Sequence, residues 1–131
     1  MTMNGRQITH LGFSDESNWN KGSFGSIGLV TCRYSDLIAF ENEFQLLLQD
    51  TSISELQWKR LNGADKREAA KKICEFVLAK ARSCSIRVDV LIWDKKDSRH
   101  NIKGRDDIAN LQRMYYHLFR HVMKARWSSD A

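Results

Sequence analysis

The chain has 131 residues, 42% hydrophobic and 28% charged, a composition that suits a globular unit with its own core and argues against a disordered or fibrous chain. No apolar run approaches the roughly 18 residues that a bilayer span requires, and MTMNGRQITHLGF lacks the apolar stretch of a secretory signal, so we expect a cytoplasmic protein with no membrane segment. Twenty-one Lys and Arg against sixteen Asp and Glu leave a net charge of +5, which is compatible with a polyanionic partner without requiring one.

In chain order, residues 8 to 14 are apolar and suited to a strand in which Thr9, Leu11 and Phe13 form the core-facing row and Asp15 caps it. Turn residues follow, and Phe24, Ile27, Leu29, Val30 and Cys32 suit an antiparallel return strand. Ser35 is placed to cap a helix carrying Leu37, Phe40, Phe44, Leu47 and Leu48 and ending near Asp50. After TSISELQWKRL, Asp65 is expected to cap a second helix. Its stripe Ala69, Ile73, Phe76 and Val77 faces a core, while Lys66, Lys71, Lys72 and Lys80 face water.

The run IRVDVLIWD, residues 86 to 94, has apolar side chains on both faces and is expected to be a central strand closed by Asp94 on the Ile86, Val88, Val90, Ile92 face. A basic loop leads to a final helix with Ile108, Leu111, Met114, Tyr115, Leu118 and Val122 turned inward. Without any proline, boundaries depend on Gly, Asn, Asp and Ser. With no repeat or linker, a single domain over residues 1–131 is expected. Three cysteines without metal-ligand spacing suggest buried free thiols, with Cys74 beside the second helix's stripe; Trp58 and Trp93 suit packing.

The element order implies an α/β or α+β fold. Asp15 and Asp94 each end a strand; were those strands adjacent and parallel, two carboxylates would meet at one sheet edge. Converging carboxylates without His or Cys suit Mg²⁺ or Mn²⁺, which take oxygen ligands. Turn chemistry alone also places aspartates at strand ends.

The residues F-S-D-E-S after the first strand, the glycine-containing return strand, the segment Glu55, Leu56, Gln57, Trp58, Lys59, and the Asp closing the later strand resemble a widespread prokaryotic family of uncharacterised proteins. That family carries a D-E-S-G motif and a ribonuclease H-like fold, a mixed sheet flanked by helices. Carried over motif by motif, the resemblance implies that Asp15, Glu55 and Asp94 bind metal and act in catalysis, with Glu16 and Ser17 supporting them. Asn18 stands where the family has glycine, and Gln57 where it has lysine.

Residues 8 to about 125 carry the resemblance, whereas the family continues through a further strand and helix with another carboxylate. The expectation is therefore an incomplete version of the fold lacking the last strand and helix. A homodimer or partner chain would cover the edge of strand 86–94.

The leading functional expectation is a metal-dependent nuclease hydrolysing phosphodiesters with Mg- or Mn-activated water. Its alternative is a non-catalytic nucleic-acid- or protein-binding module. Lys59, Lys95, Lys96, Arg99, His100, Lys103 and Arg105 are candidate nucleic-acid contacts. Arg113, Arg120, Lys124 and Arg126 continue the basic surface, with Tyr116 and Trp127 as rings. His117 and His121 are expected at the surface or core boundary.

Overall fold

The computed structural model describes residues 2–3, 5–49, 51, 53 and 55–127. It divides into two compact units, Met1–Leu11 with Thr31–Ile86, and Gly12–Val30 with Arg87–Ala131. The architecture is α+β: helices with an antiparallel sheet made of a hairpin and one strand from much later in the chain.

In the first unit, β1 (Thr2–Met3) and β2 (Arg6–Gln7) pair antiparallel around Gly5, whose φ of 72° suits a residue without a β-carbon. A 3₁₀ turn, Tyr34–Asp36, leads into α1 (Leu37–Gln49). The turn follows Arg33 with no side-chain cap, so Ser35 lies within it instead of capping the helix. Asp50, the expected end of this helix, and the Trp58 side chain fall outside the described residues.

The next helix, α2 (Ala64–Arg82), follows Gly63, so Asp65 occupies its first turn, where a carboxylate favours the helix dipole, and does not cap it. Ala69 is its one fully buried residue among those described. The two helices meet through Phe44 and Phe76, ring centres 5.8 Å apart, and Lys80, expected in water, is instead half-buried. Its Nζ lies 2.7 Å from Glu43 and 5.6 Å from the ring centres of Phe40 and Phe76. The aliphatic stem covers apolar surface while the ammonium keeps a charged partner.

At its end α2 closes in a Schellman motif: Ser85 N–H donates to Lys80 C=O (3.0 Å) and Cys84 N–H to Ala81 C=O (3.0 Å). Cys84 has a φ of 60° at the position glycine usually takes. Cys32 is buried as expected, and burial, then Asp36, pushes its thiol pKa up; Cys74 and Cys84 are exposed, against expectation.

The second unit is built mainly on β3 (His10–Ser17), β4 (Phe24–Arg33), β5 (Ile86–Asp94) and α3 (Asp107–Arg126). The strands form an antiparallel sheet in the order β3, β4, β5. Thus, among the described residues, β5 is an edge strand, not the central one expected from its two apolar faces. Ile27 and Leu29 of β4 and Trp93 of β5 pack against Met114, Leu118, Val122 and Trp127 to make the core.

Lys95 N–H donates to Ser23 C=O (2.9 Å), a register that sets Trp93 opposite Gly25. A β-carbon at Gly25 would lie 2.4 Å from the Trp93 ring, so this strand accommodates the indole only because the side chain is missing.

Asp106 caps α3, its carboxylate accepting from Ala109 N–H at 2.7 Å. Met114, Leu118 and Val122 are buried, but Ile108 is 56% exposed and not core as expected. Tyr115 donates its hydroxyl to Glu16, and Ser14 bonds it as well; burial, then Glu16, raises the phenol's pKa, so it remains a donor at neutral pH. No described helix is long and apolar enough to cross a membrane.

Candidate nucleic-acid interface and the strand-end carboxylates

Ser14 and Glu16 reach Tyr115, so strand alternation sends Phe13 and Asp15 to the sheet face away from α3. On β5, Trp93 is buried under α3 while Val88, Val90 and Ile92 are exposed, so Asp94 shares that same outer face. Because β3 and β5 both run antiparallel to β4, Asp15 and Asp94 lie toward the same end of the sheet. They do not adjoin: β4 separates their strands, putting the backbones about 9.5 Å apart at two inter-strand spacings. The half-exposed Phe24 ring stands on the strand between them.

Both carboxylates serve local backbone. Asp15 Oδ1 accepts from Glu16 N–H (3.0 Å) within β3, and Asp94 Oδ1 accepts from Lys96 N–H (2.9 Å), a bond that shapes the turn after β5. Glu55 belongs to the other unit, where its Oε1 accepts from Gln57 Nε2 (2.8 Å) and it lines a hollow of about 220 Å³ with Ile53, Leu56, Gln57, Arg60, Leu61 and Lys66. Among the described residues no group of three or more His, Cys, Asp or Glu gathers as a metal would need. The Glu16 side chain faces α3 and Ser17 is exposed, so among the described residues Asp15's carboxylate is held by the Glu16 backbone N–H and by neither of these side chains.

The basic loop after β5 is an ordered scaffold. Asp97 accepts from Arg99 through both the backbone (2.9 Å) and the guanidinium (2.6 Å), which holds its carboxyl well below the usual carboxylate range. His100 Nε2 lies 3.8 Å from Asp97, and Lys95 Nζ donates to Lys21 C=O (2.5 Å). Asn110, buried on α3, ties the loop down: its amide donates to Asn101 Oδ1 (2.8 Å) and its oxygen accepts from Ile102 N–H (3.0 Å). Lys95 and Arg99 are thus committed to internal bonds, whereas Lys96, Lys103 and Arg105 are exposed and make no ion pair among the described residues. Lys59, in the first unit, is exposed.

The outer side of α3 carries two adjoining stripes. Arg113, His117, Arg120 and Lys124 recur at four-, three- and four-residue spacings on one face. Arg113 is anchored by donating to Arg99 C=O (2.6 Å), while Arg120 and Lys124 are exposed and unpaired among the described residues. Beside them Tyr116, Phe119 and Met123 are 60%, 41% and 44% exposed. Tyr116 meets His117 edge-on with ring centres 5.8 Å apart. Trp127 and Arg126 drop out of the expected surface, since Trp127 is buried and Arg126 bonds Asp89 at 3.1 Å. Phe119 and Met123 were missed because the three-and-four spacing that marks a core stripe also marks an exposed one.

The structure defines an α+β chain whose chemistry-bearing groups sit at one sheet end, in one basic loop and along one helix. Two proteins of Methanothermobacter thermautotrophicus are similar to it over 91% of its length, at 38% and 37% identity: "Uncharacterized protein ORF2'" and "Uncharacterized protein ORF2". The chain spans 44% of the length of each. No family model and no solved structure matches it, so the ribonuclease H-like resemblance rests on its motif residues alone.

Proposed function

We propose that this chain is a non-catalytic binding module whose α3 surface and adjoining basic loop take up single-stranded nucleic acid. The observation that carries this reading is the pair of exposed rings, Tyr116 and Phe119, beside Arg120 and Lys124, exposed and unpaired among the described residues, on one helix. A merely solvated face needs the cations but not the rings. Phosphates would pair with Arg113, Arg120, Lys124, Lys96, Lys103 and Arg105, and bases would stack on Tyr116 and Phe119; stacking is tolerant of sequence because every base has a π-face.

Fluorescence anisotropy with a labelled single strand of about twelve nucleotides tests it, since a strand of that size spans a typical single-strand site. Binding should weaken by about tenfold in Tyr116→Ala, corresponding to about 1.4 kcal/mol of lost stacking, with helicity retained. Absence of binding by the wild-type chain, or a preference for duplex untouched by Tyr116→Ala, contradicts the reading.

A second reading, metal-dependent phosphodiester hydrolysis with Mg²⁺ or Mn²⁺, is favoured by one observation: Asp15 and Asp94 share a face and an end of the sheet. The described carboxylates do not by themselves assemble a ligand set, and Glu55 enters only through the family resemblance. Calorimetric titration with Mn²⁺ tests it; saturable binding abolished by Asp94→Asn would support it, and no heat of binding would remove it.

A further inference from the structure

The edge strand β5 pairs with β4 on one side and, among the described residues, with no strand on the other. Exposed edges are normally blunted by Pro, a bulge, a covering segment or charges of one sign; IRVDVLIWD contains neither Lys nor Pro, and its two inward charges, Arg87 and Asp89, are opposite in sign and so can complement a second copy. Its outer-face residues Val88, Val90 and Ile92 are 45%, 62% and 66% exposed.

On the face toward α3 stand two successive charges, Arg87 and Asp89. Arg126 bonds Asp89 Oδ1 at 3.1 and 3.2 Å, but Asp89 Oδ2 and Arg87 Nε are buried without a hydrogen-bond partner among the described residues. Arg87's guanidinium lies 5.8 Å from the Trp127 ring centre, a contact that supplies no hydrogen-bond acceptor to Nε. A buried donor and a buried acceptor, both unsatisfied and two residues apart on a free edge, are a costly combination for a lone chain.

We propose that β5 pairs antiparallel with β5 of a second copy of this chain about a twofold axis at Val88. In that register Val88 faces Val88, and Arg87 of each copy faces Asp89 of the other. The opposed charges lie directly across the ladder, where β-carbons are about 5 Å apart and opposite signs stabilise. Each copy's unmatched donor then meets the other's unmatched acceptor, and the edge backbone is paired. The competing registers are poorer: an axis at Asp89 opposes like charges, and an axis at Val90 sets Asp89 against Leu91. This pairing is independent of the α3 reading.

The test is analytical ultracentrifugation of the full chain, with two variants. Arg87→Glu alone and Asp89→Arg alone should each be monomeric, because each opposes like charges across the axis. Mixed together they should form a one-to-one dimer, because both cross-strand pairs become complementary. Since Asp89→Arg also removes the Arg126 bond, a second measurement guards against misfolding: Val88→Cys, in a chain with Cys74→Ser and Cys84→Ser, should oxidise to a disulfide-linked dimer faster than Val90→Cys in the same background. A wild-type chain that stays monomeric at high concentration, or faster linking at residue 90 than at 88, overturns the proposal.

Discussion

Gly25 and Cys84 show how one missing or unwanted β-carbon sets local stability. Gly25→Ala would drive its methyl into the Trp93 ring, and neither strand backbone nor packed indole can yield freely. A loss of about 1–3 kcal/mol in urea unfolding is expected, the usual cost of overpacking a core. Cys84 gives the opposite sign: it holds the left-handed position of the α2 Schellman motif, where glycine carries no steric penalty. Cys84→Gly should raise the melting temperature, by about 1 kcal/mol of added stability. Asp97 sets the pH response of the basic loop. Its pKa is depressed on folding, chiefly by the Arg99 guanidinium, so its contribution is complete above the unfolded value near 3.9 and is lost as pH falls through the lower folded value. Amide exchange at Arg99 should therefore stay protected from neutral pH down past the ordinary carboxylate range, and Asp97→Asn should remove that acid tolerance.

At the scale of elements, α3 is one helix with two exposed stripes against one buried one. Its core side was legible because Leu111, Met114, Leu118 and Val122 repeat at helical spacing. Ile108 obeys the same period yet is exposed, since periodicity tells which residues align and not which stripe a neighbour covers. The two apolar faces of β5 misled in the same way: a run apolar on both sides suits a buried strand, but here one face meets α3 and the other, past the buried Ile86, is exposed at Val88, Val90 and Ile92. Asn110 had no sequence signal, because its role depends on a loop folding back to meet it. Asn110→Ala should cost about 1–3 kcal/mol, the penalty for stranding Ile102 N–H and the Asn101 side chain, and should speed amide exchange across residues 97–105.

For the whole molecule, alternation groups Asp15 with Phe13, and Asp94 with Val88, Val90 and Ile92, but the Phe13 row expected to face the core lies on the sheet face away from α3, where Phe13 is 54% exposed. What alternation could not supply was strand order: β4 enters between β3 and β5, because the return strand of a hairpin serves as the template for the later strand. The two carboxylates consequently share a sheet end without adjoining. The account's central claim therefore rests on α3, and the salt dependence of single-strand binding tests it most directly. Each phosphate neutralised adds about 0.7 to the slope of log affinity against log salt. Replacing Arg120 and Lys124 with Ala should reduce that slope by about 1.4 and weaken binding at low salt. An unchanged slope, with affinity equal to wild type, would contradict the assignment of this surface to nucleic acid.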